Sequence, residues 1–165
     1  MAQLMGFPDT VDERAARTVA GGVVALTATA LLSDRLWLTA PLAYGFAARV
    51  VAGPKLSPLG LLATRVVVPR LGGEPRIVSG APKRLAQGMG LGFSGGALTL
   101  GLIFRQRKAA RLLLTALLAA ASLESFAGVC VACKMYPYLV RAGLASEQTC
   151  PECADVGNHD NPEVA

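Results

Sequence analysis

Charge is scarce in this chain. Only 16% of its 165 residues are Asp, Glu, Lys or Arg, against roughly a quarter in an ordinary soluble domain. Aromatic residues make up 5%, with a single tryptophan, and there is one histidine. Each shortage excludes something. Without aromatic residues among the basic ones, and without a reading motif, nucleic-acid binding has no support. The sequence offers no Gly-rich phosphate loop, no Ser-His-Asp set and no paired carboxylates. Acidic residues are nearly missing from the middle of the chain. Between Arg14 and Arg141 there are 16 basic residues but only Asp34, Glu74 and Glu124 on the other side. The N-terminus also lacks a basic leader. Asp9, Asp12 and Glu13 precede the first apolar run, the wrong charge for a cleavable secretory signal.

What is present is apolar. The chain is 53% hydrophobic, more than a soluble chain this short can hide in a core, so lipid is the expected solvent. The apolar bulk is Ala, Leu, Val and Gly, which suits close helix packing in a bilayer. Four apolar runs stand out: residues 15–32, 36–52, 85–104 and 112–133. At 1.5 Å per residue, a run of about 18 residues covers roughly 27 Å, close to the hydrocarbon thickness. The second run is the weakest, because Pro41 and Arg49 shorten its clean centre. Between the second and third runs, Ser57-Pro58 reads as an N-cap followed by proline at the first helical position. The helix that follows, stopped at Pro69, is too short to span and reads as interfacial or re-entrant. In the third run, Gly88, Gly92 and Gly96 recur every four residues and predict a closely packed helix face.

These elements predict an all-α integral membrane bundle of four transmembrane helices over residues 1–144, followed by an acidic tail at 145–165. The Lys and Arg count predicts both termini in the cytoplasm, with 11 basic residues on that side and 5 on the other. Arg17 is expected to snorkel to the headgroups. Glu124 interrupts the fourth run. A carboxylate within a span suggests function by default, against an ion pair with Arg14, Arg17 or Arg49 on the same side. On a regular helix Glu124 faces away from the cysteines that follow it.

Several segments carry a resemblance: Phe7-Pro8-Asp9-Thr10-Val11-Asp12-Glu13-Arg14, Ser57-Pro58-Leu59, Pro82-Lys83-Arg84-Leu85-Ala86-Gln87, and Leu123-Glu124 followed by Cys130-Val131-Ala132-Cys133-Lys134-Met135-Tyr136. Together they resemble the bacterial domain of unknown function 4395 family over roughly residues 6–140. The resemblance implies a multi-pass bacterial inner-membrane protein without an established activity. Its Cys-x-x-Cys corresponds to Cys130 and Cys133. Cys150 and Cys153 lie beyond it.

The four cysteines are spaced Cys130-x2-Cys133-x16-Cys150-x2-Cys153. Two knuckles at this separation suit one tetrahedral zinc, or a single iron, docking a partner protein. His159 is a further potential ligand in the tail. The same motif suits thiol–disulfide exchange with a thioredoxin-like partner, which would make the protein an oxidoreductase. Inert cysteines packed at a helix end are the plain alternative. A third class is a small transporter, or a subunit of a membrane complex, with Glu124 and the arginines along its pathway.

Overall fold

The structure, a computed structural model, describes residues 10–72 and 77–142. They form an all-α fold with one short strand pair. Strand β1 (Thr10–Asp12) leads into helix α1 (Glu13–Leu32). Asp12 caps α1 by accepting a hydrogen bond from the Arg14 backbone N–H at 2.9 Å, and Glu13 sits in the first turn, where the helix dipole favours an anion. A short 3₁₀ turn at Leu36–Leu38 precedes α2 (Thr39–Ala52). Pro41 falls in the first turn of α2, where a missing N–H leaves no intrahelical bond unmade, so it does not break the helix.

Ser57 caps α3 (Pro58–Leu62) as its spacing predicts, accepting from the Gly60 N–H. The helix does not stop at Pro69. A π turn at Ala63–Val67 widens the backbone, and α4 (Val68–Leu71) carries the chain through the proline to Gly72, whose φ of 60° ends the run. The wider turn shifts the hydrogen-bond register ahead of a residue that has no N–H to donate. Strand β2 (Ile77–Ser79) then pairs antiparallel with β1, Val11 opposite Val78. Three longer elements follow. Helix α5 (Gly80–Leu98) ends in a π turn at Thr99–Ile103, α6 (Arg107–Ser122) ends in another at Leu123–Ala127, and α7 (Val131–Arg141) completes the described chain.

The main core joins Val23 of α1, Leu42 and Phe46 of α2, and Leu117 and Ala121 of α6. A second cluster, Leu36, Ala97, Ala110 and Leu114, closes one end of the bundle. Outside that end the two basic turns meet, with Arg107 3.3 Å and Arg111 4.0 Å from Asp34. These pairs are exposed and contribute at most about 1 kcal/mol. Arg14, Arg17, Arg49, Lys83 and Glu124 gather at the opposite end, the end at which α1 begins. Two helical stretches, Glu13–Leu32 and Arg107–Ala127, are long and apolar enough to cross a membrane, and only 33% and 22% of them is buried inside the molecule.

The Gly88–Gly92–Gly96 face is not where α5 packs most closely. A methyl group added at Gly88 or Gly92 would meet open space, and one at Gly96 would touch only the Leu113 side chain at 3.2 Å. The close approach is at Gly90, against the ring of Phe46, and at Gly101, 2.7 Å from a Leu36 methyl. The four-residue spacing repeats along one face, but the neighbour lies on another. Gly90→Ala is therefore expected to destabilise the protein by about 1–3 kcal/mol through overpacking. Gly88→Ala and Gly92→Ala should stay within about 0.5 kcal/mol of the parent. Thermal unfolding of the purified variants in detergent checks this ranking.

Candidate functional site

The fourth apolar run does not continue to Cys133. Gly128 adopts φ 68°, a left-handed conformation that glycine takes without a Cβ penalty, and ends the helix after Ala127. The Val129 N–H folds back onto the Leu123 carbonyl at 3.2 Å. The backbone break comes at Gly128, and α7 runs through Pro137. Cys130 is placed just before the first turn of α7, its carbonyl accepting from the Lys134 N–H at 3.3 Å. Cys133 lies one turn on.

Arg17 does not snorkel away from the bundle. Its guanidinium donates to the carbonyls of Ser125, at 3.2 and 3.3 Å, and of Phe126, at 3.2 Å. Carbonyls at a helix end have no intrahelical donor, and a cation satisfies both the hydrogen bond and the dipole. Arg14 donates to the Gly72 carbonyl. Arg49, only 4% exposed, donates to Gln87 Oε1 at 2.6 Å and Ser57 Oγ at 2.8 Å and lies 4.6 Å over the Phe46 ring. The direct partner of Glu124 is none of these arginines. It is Lys83, at 2.9 Å, with both side chains largely buried at 8% and 16% exposure. Lys83 lies in the segment that resembles the family, but nothing in its spacing marks it as the partner of a residue 41 positions away.

Glu124 and Cys130 line the same cavity. The regular-helix construction that set them apart fails because a π turn and the Gly128 reversal intervene. Cys130 is buried and Cys133 half-buried, both as free thiols. The neighbouring Cys133 side chain, and more weakly Lys83, favour negative charge on the Cys130 sulfur. Burial and the Glu124 carboxylate oppose this, but the net effect lowers the Cys130 thiol from 9.0 to about 7. The Cys133 thiol is pushed up, because losing its proton would cost its interaction with the Cys130 sulfur and set a second anion beside it. Burial disfavours the Lys83 ammonium, yet Glu124 and the two sulfurs together hold its pKa above 10.5. The two sulfurs thus differ, the Cys130 thiol being held lower and the Cys133 thiol higher than an ordinary cysteine.

Cys150, Cys153 and His159 lie outside the described residues. Among the described residues no three His, Cys, Asp or Glu side chains are grouped so as to share a metal ion.

Alkylation of Cys130 by iodoacetamide should rise with pH through a midpoint near 7. In Cys133→Ala, which removes the neighbouring thiol, the midpoint should move up towards the ordinary thiol range. A pH–rate series read by mass spectrometry checks both. Lys83→Met alone leaves a buried carboxylate unpaired and should cost about 3–5 kcal/mol, whereas Lys83→Met with Glu124→Leu should recover most of that loss. Unfolding midpoints of the single and double variants decide this.

Neither the curated proteins nor the solved structures contain a match to this chain. Its sequence does match a family described as domain of unknown function (DUF4395), across residues 11–141, a stretch that includes both cysteines of the dithiol, Lys83 and Glu124. The chain belongs to the DUF4395 family.

Proposed function

We propose that this protein is a four-span membrane protein of the bacterial inner membrane whose Cys130–Cys133 pair cycles between dithiol and disulfide with a thioredoxin-like partner. The observation that carries the reading is the pair's placement at the N-terminus of α7, Cys130 just before its first turn and Cys133 within it. A helix N-terminus and a nearby cation favour the thiolate, the form that attacks disulfides.

In the forward direction the Cys130 thiolate attacks one sulfur of a partner disulfide. A mixed disulfide forms, and the partner's other sulfur leaves as a thiolate. Cys133 gives its proton to that thiolate and attacks the Cys130 sulfur, closing the internal disulfide and releasing the second partner thiolate. The partner is reduced by two electrons and the Cys130–Cys133 pair is oxidised by two.

Support for four spans comes from the arrangement of the ends. The turn at residues 33–35 meets the start of α6 through Asp34 and Arg107, while the start of α1, the end of α2, the start of α5 and the end of α6 meet at the thiol end. Four antiparallel crossings produce this pattern. Large apolar side chains on the outer surface, such as Leu32, Ile103, Leu112 and Phe126, suit lipid contact. Both termini then share the cytoplasmic side favoured by the basic residues.

The cysteine spacing supports a second reading, in which Cys130, Cys133, Cys150 and Cys153 hold one zinc or iron and dock a partner protein. The transporter reading has less to support it, since the Glu124 carboxylate is engaged by Lys83.

Exchange with a thioredoxin-like protein separates these readings. Cys130→Ser should reduce the rate at least about a hundredfold, and Cys133→Ser should accumulate the mixed disulfide. Zinc plus iron should stay below about 0.2 per chain in active preparations. Stoichiometric metal released together with activity by a chelator would favour the four-thiolate reading instead.

A further inference from the structure

Cys130 and Cys133 are free thiols at the N-terminus of α7, Cys130 just before its first turn and Cys133 three residues on. Residues three apart on a helix lie on one face, and here the two side chains are neighbours. The Lys83 ammonium acts electrostatically on both sulfurs and is held by Glu124 at 2.9 Å. Among the described residues no third Cys, His, Asp or Glu joins the pair in a group that could share a metal ion. Two sulfurs are therefore the whole ligand set that these residues offer.

Among the described residues, the charges buried at this end do not cancel. Arg49 and Lys83 are 4% and 6% exposed and both positive, against the one negative charge of Glu124. Arg17 and Glu13, which both border Gly128, are opposite in sign and leave that excess unchanged. A poorly solvated site with one positive charge in excess favours an occupant with one negative charge. A divalent ion such as zinc is neutral on two thiolates and still lacks two of its four ligands. A soft monovalent ion on two thiolates carries one negative charge, and two sulfurs in line satisfy it.

We infer that Cys130 and Cys133 bind one copper(I) ion between their sulfurs, with Lys83 as the cation that balances the bis-thiolate. Thiolates are soft ligands, and among biological metals they select copper(I). A lone thiolate at Cys130 carries the same charge as the copper complex. Copper(I) then stands in for the proton of Cys133, one monovalent cation for another. Each sulfur bonds the ion, any thiol proton leaves to solvent, and no electron moves.

The inference goes beyond disulfide exchange, since it needs the same two thiols in reduced form but not the exchange reaction. Full-length protein, reduced and held anaerobic in detergent, is titrated with copper(I) against a coloured copper(I) chelator. Exchange with a thioredoxin-like protein is measured on the metal-free sample. The expected result is one copper(I) retained per chain, with two sulfur neighbours in its X-ray absorption spectrum. Cys130→Ser and Cys133→Ser should each weaken binding at least about a hundredfold, whereas Cys150→Ser with Cys153→Ser should leave it within about threefold. Lys83→Gln should weaken binding at least about tenfold, with recovery in Lys83→Arg, and Glu124→Gln should tighten it at least about threefold. A merely structural role for the ion pair would not tighten binding when Glu124 is neutralised, so Glu124→Gln decides the charge argument if Lys83→Gln does not fold. Copper lost to the chelator by the parent protein would overturn the inference. So would binding that survives either single cysteine variant, binding that requires Cys150 and Cys153, or weaker binding in Glu124→Gln. Exchange retained without copper binding would leave the exchange reading standing, and copper binding without exchange would do the reverse.

Discussion

The ion pair between Lys83 and Glu124 is the constraint around which the thiol end is organised. Each charge sits where water has little access, and either one alone would be costly to bury. The pair joins the start of α5 to the π turn that ends α6, segments about forty residues apart in the chain. It must be made for either segment to take its place. Once it is made, the exit of the chain from α6 is fixed, and so is the point at which Gly128 turns it back. Cys130 arrives beside the cavity as a consequence. A structural contact and an electrostatic influence on the sulfur are thus the same interaction.

The arginines show the same economy. In lipid, where a backbone carbonyl has no water to turn to, an unpaired polar group costs several kcal/mol. Arg17 spends its donors on the carbonyls of Ser125 and Phe126 at the end of α6. Arg49 spends its donors on Gln87 and Ser57, joining α2 to α5 and to the cap of α3. Neither reaches for a headgroup. These arginines are paired within the bundle, and the apolar exterior is left to Leu32, Leu112 and Phe126. In the membrane placement proposed above, the Leu side chains of the interior gain less from burial than they would in water, because lipid is as apolar as the core. Directional contacts such as these therefore carry more of the specificity of the fold.

Much of this was legible from residue pattern, because run length and capping are local properties. The helices over the first three apolar runs, the body of the fourth and the Ser57 cap fall where the pattern puts them. Two of the failures share one cause, the extrapolation of a regular 3.6-residue helix across a break in its period. Glu124 was turned away from the cysteines by 100° steps that the π turn and Gly128 interrupt. The glycine stripe marked a face of α5, but Phe46 meets the helix at Gly90 instead. Pro69 looked like a stop because a π turn upstream of it leaves no mark in composition. Partner choice was equally hidden. Lys83 and Arg49 are both basic residues at the same end of the bundle, and only the three-dimensional arrangement decides which one meets Glu124.

The burial of Cys130 sharpens what kind of thiol this is. Exposed nucleophilic thiols gain their reactivity cheaply, since water already solvates the thiolate. A buried sulfur has to replace that solvation with fixed donors and cations. Here the Cys133 thiol, the Lys83 ammonium and the first turn of α7 supply it, and they do so against the opposing field of Glu124. A packed helix end that needed only a small apolar residue would gain nothing from that arrangement, since alanine would fill the space without a charge to stabilise. The donors are arranged around the anion, and the anion borders a cavity walled by hydrocarbon. The sulfur thus sits at the boundary between a polar helix end and an apolar cavity.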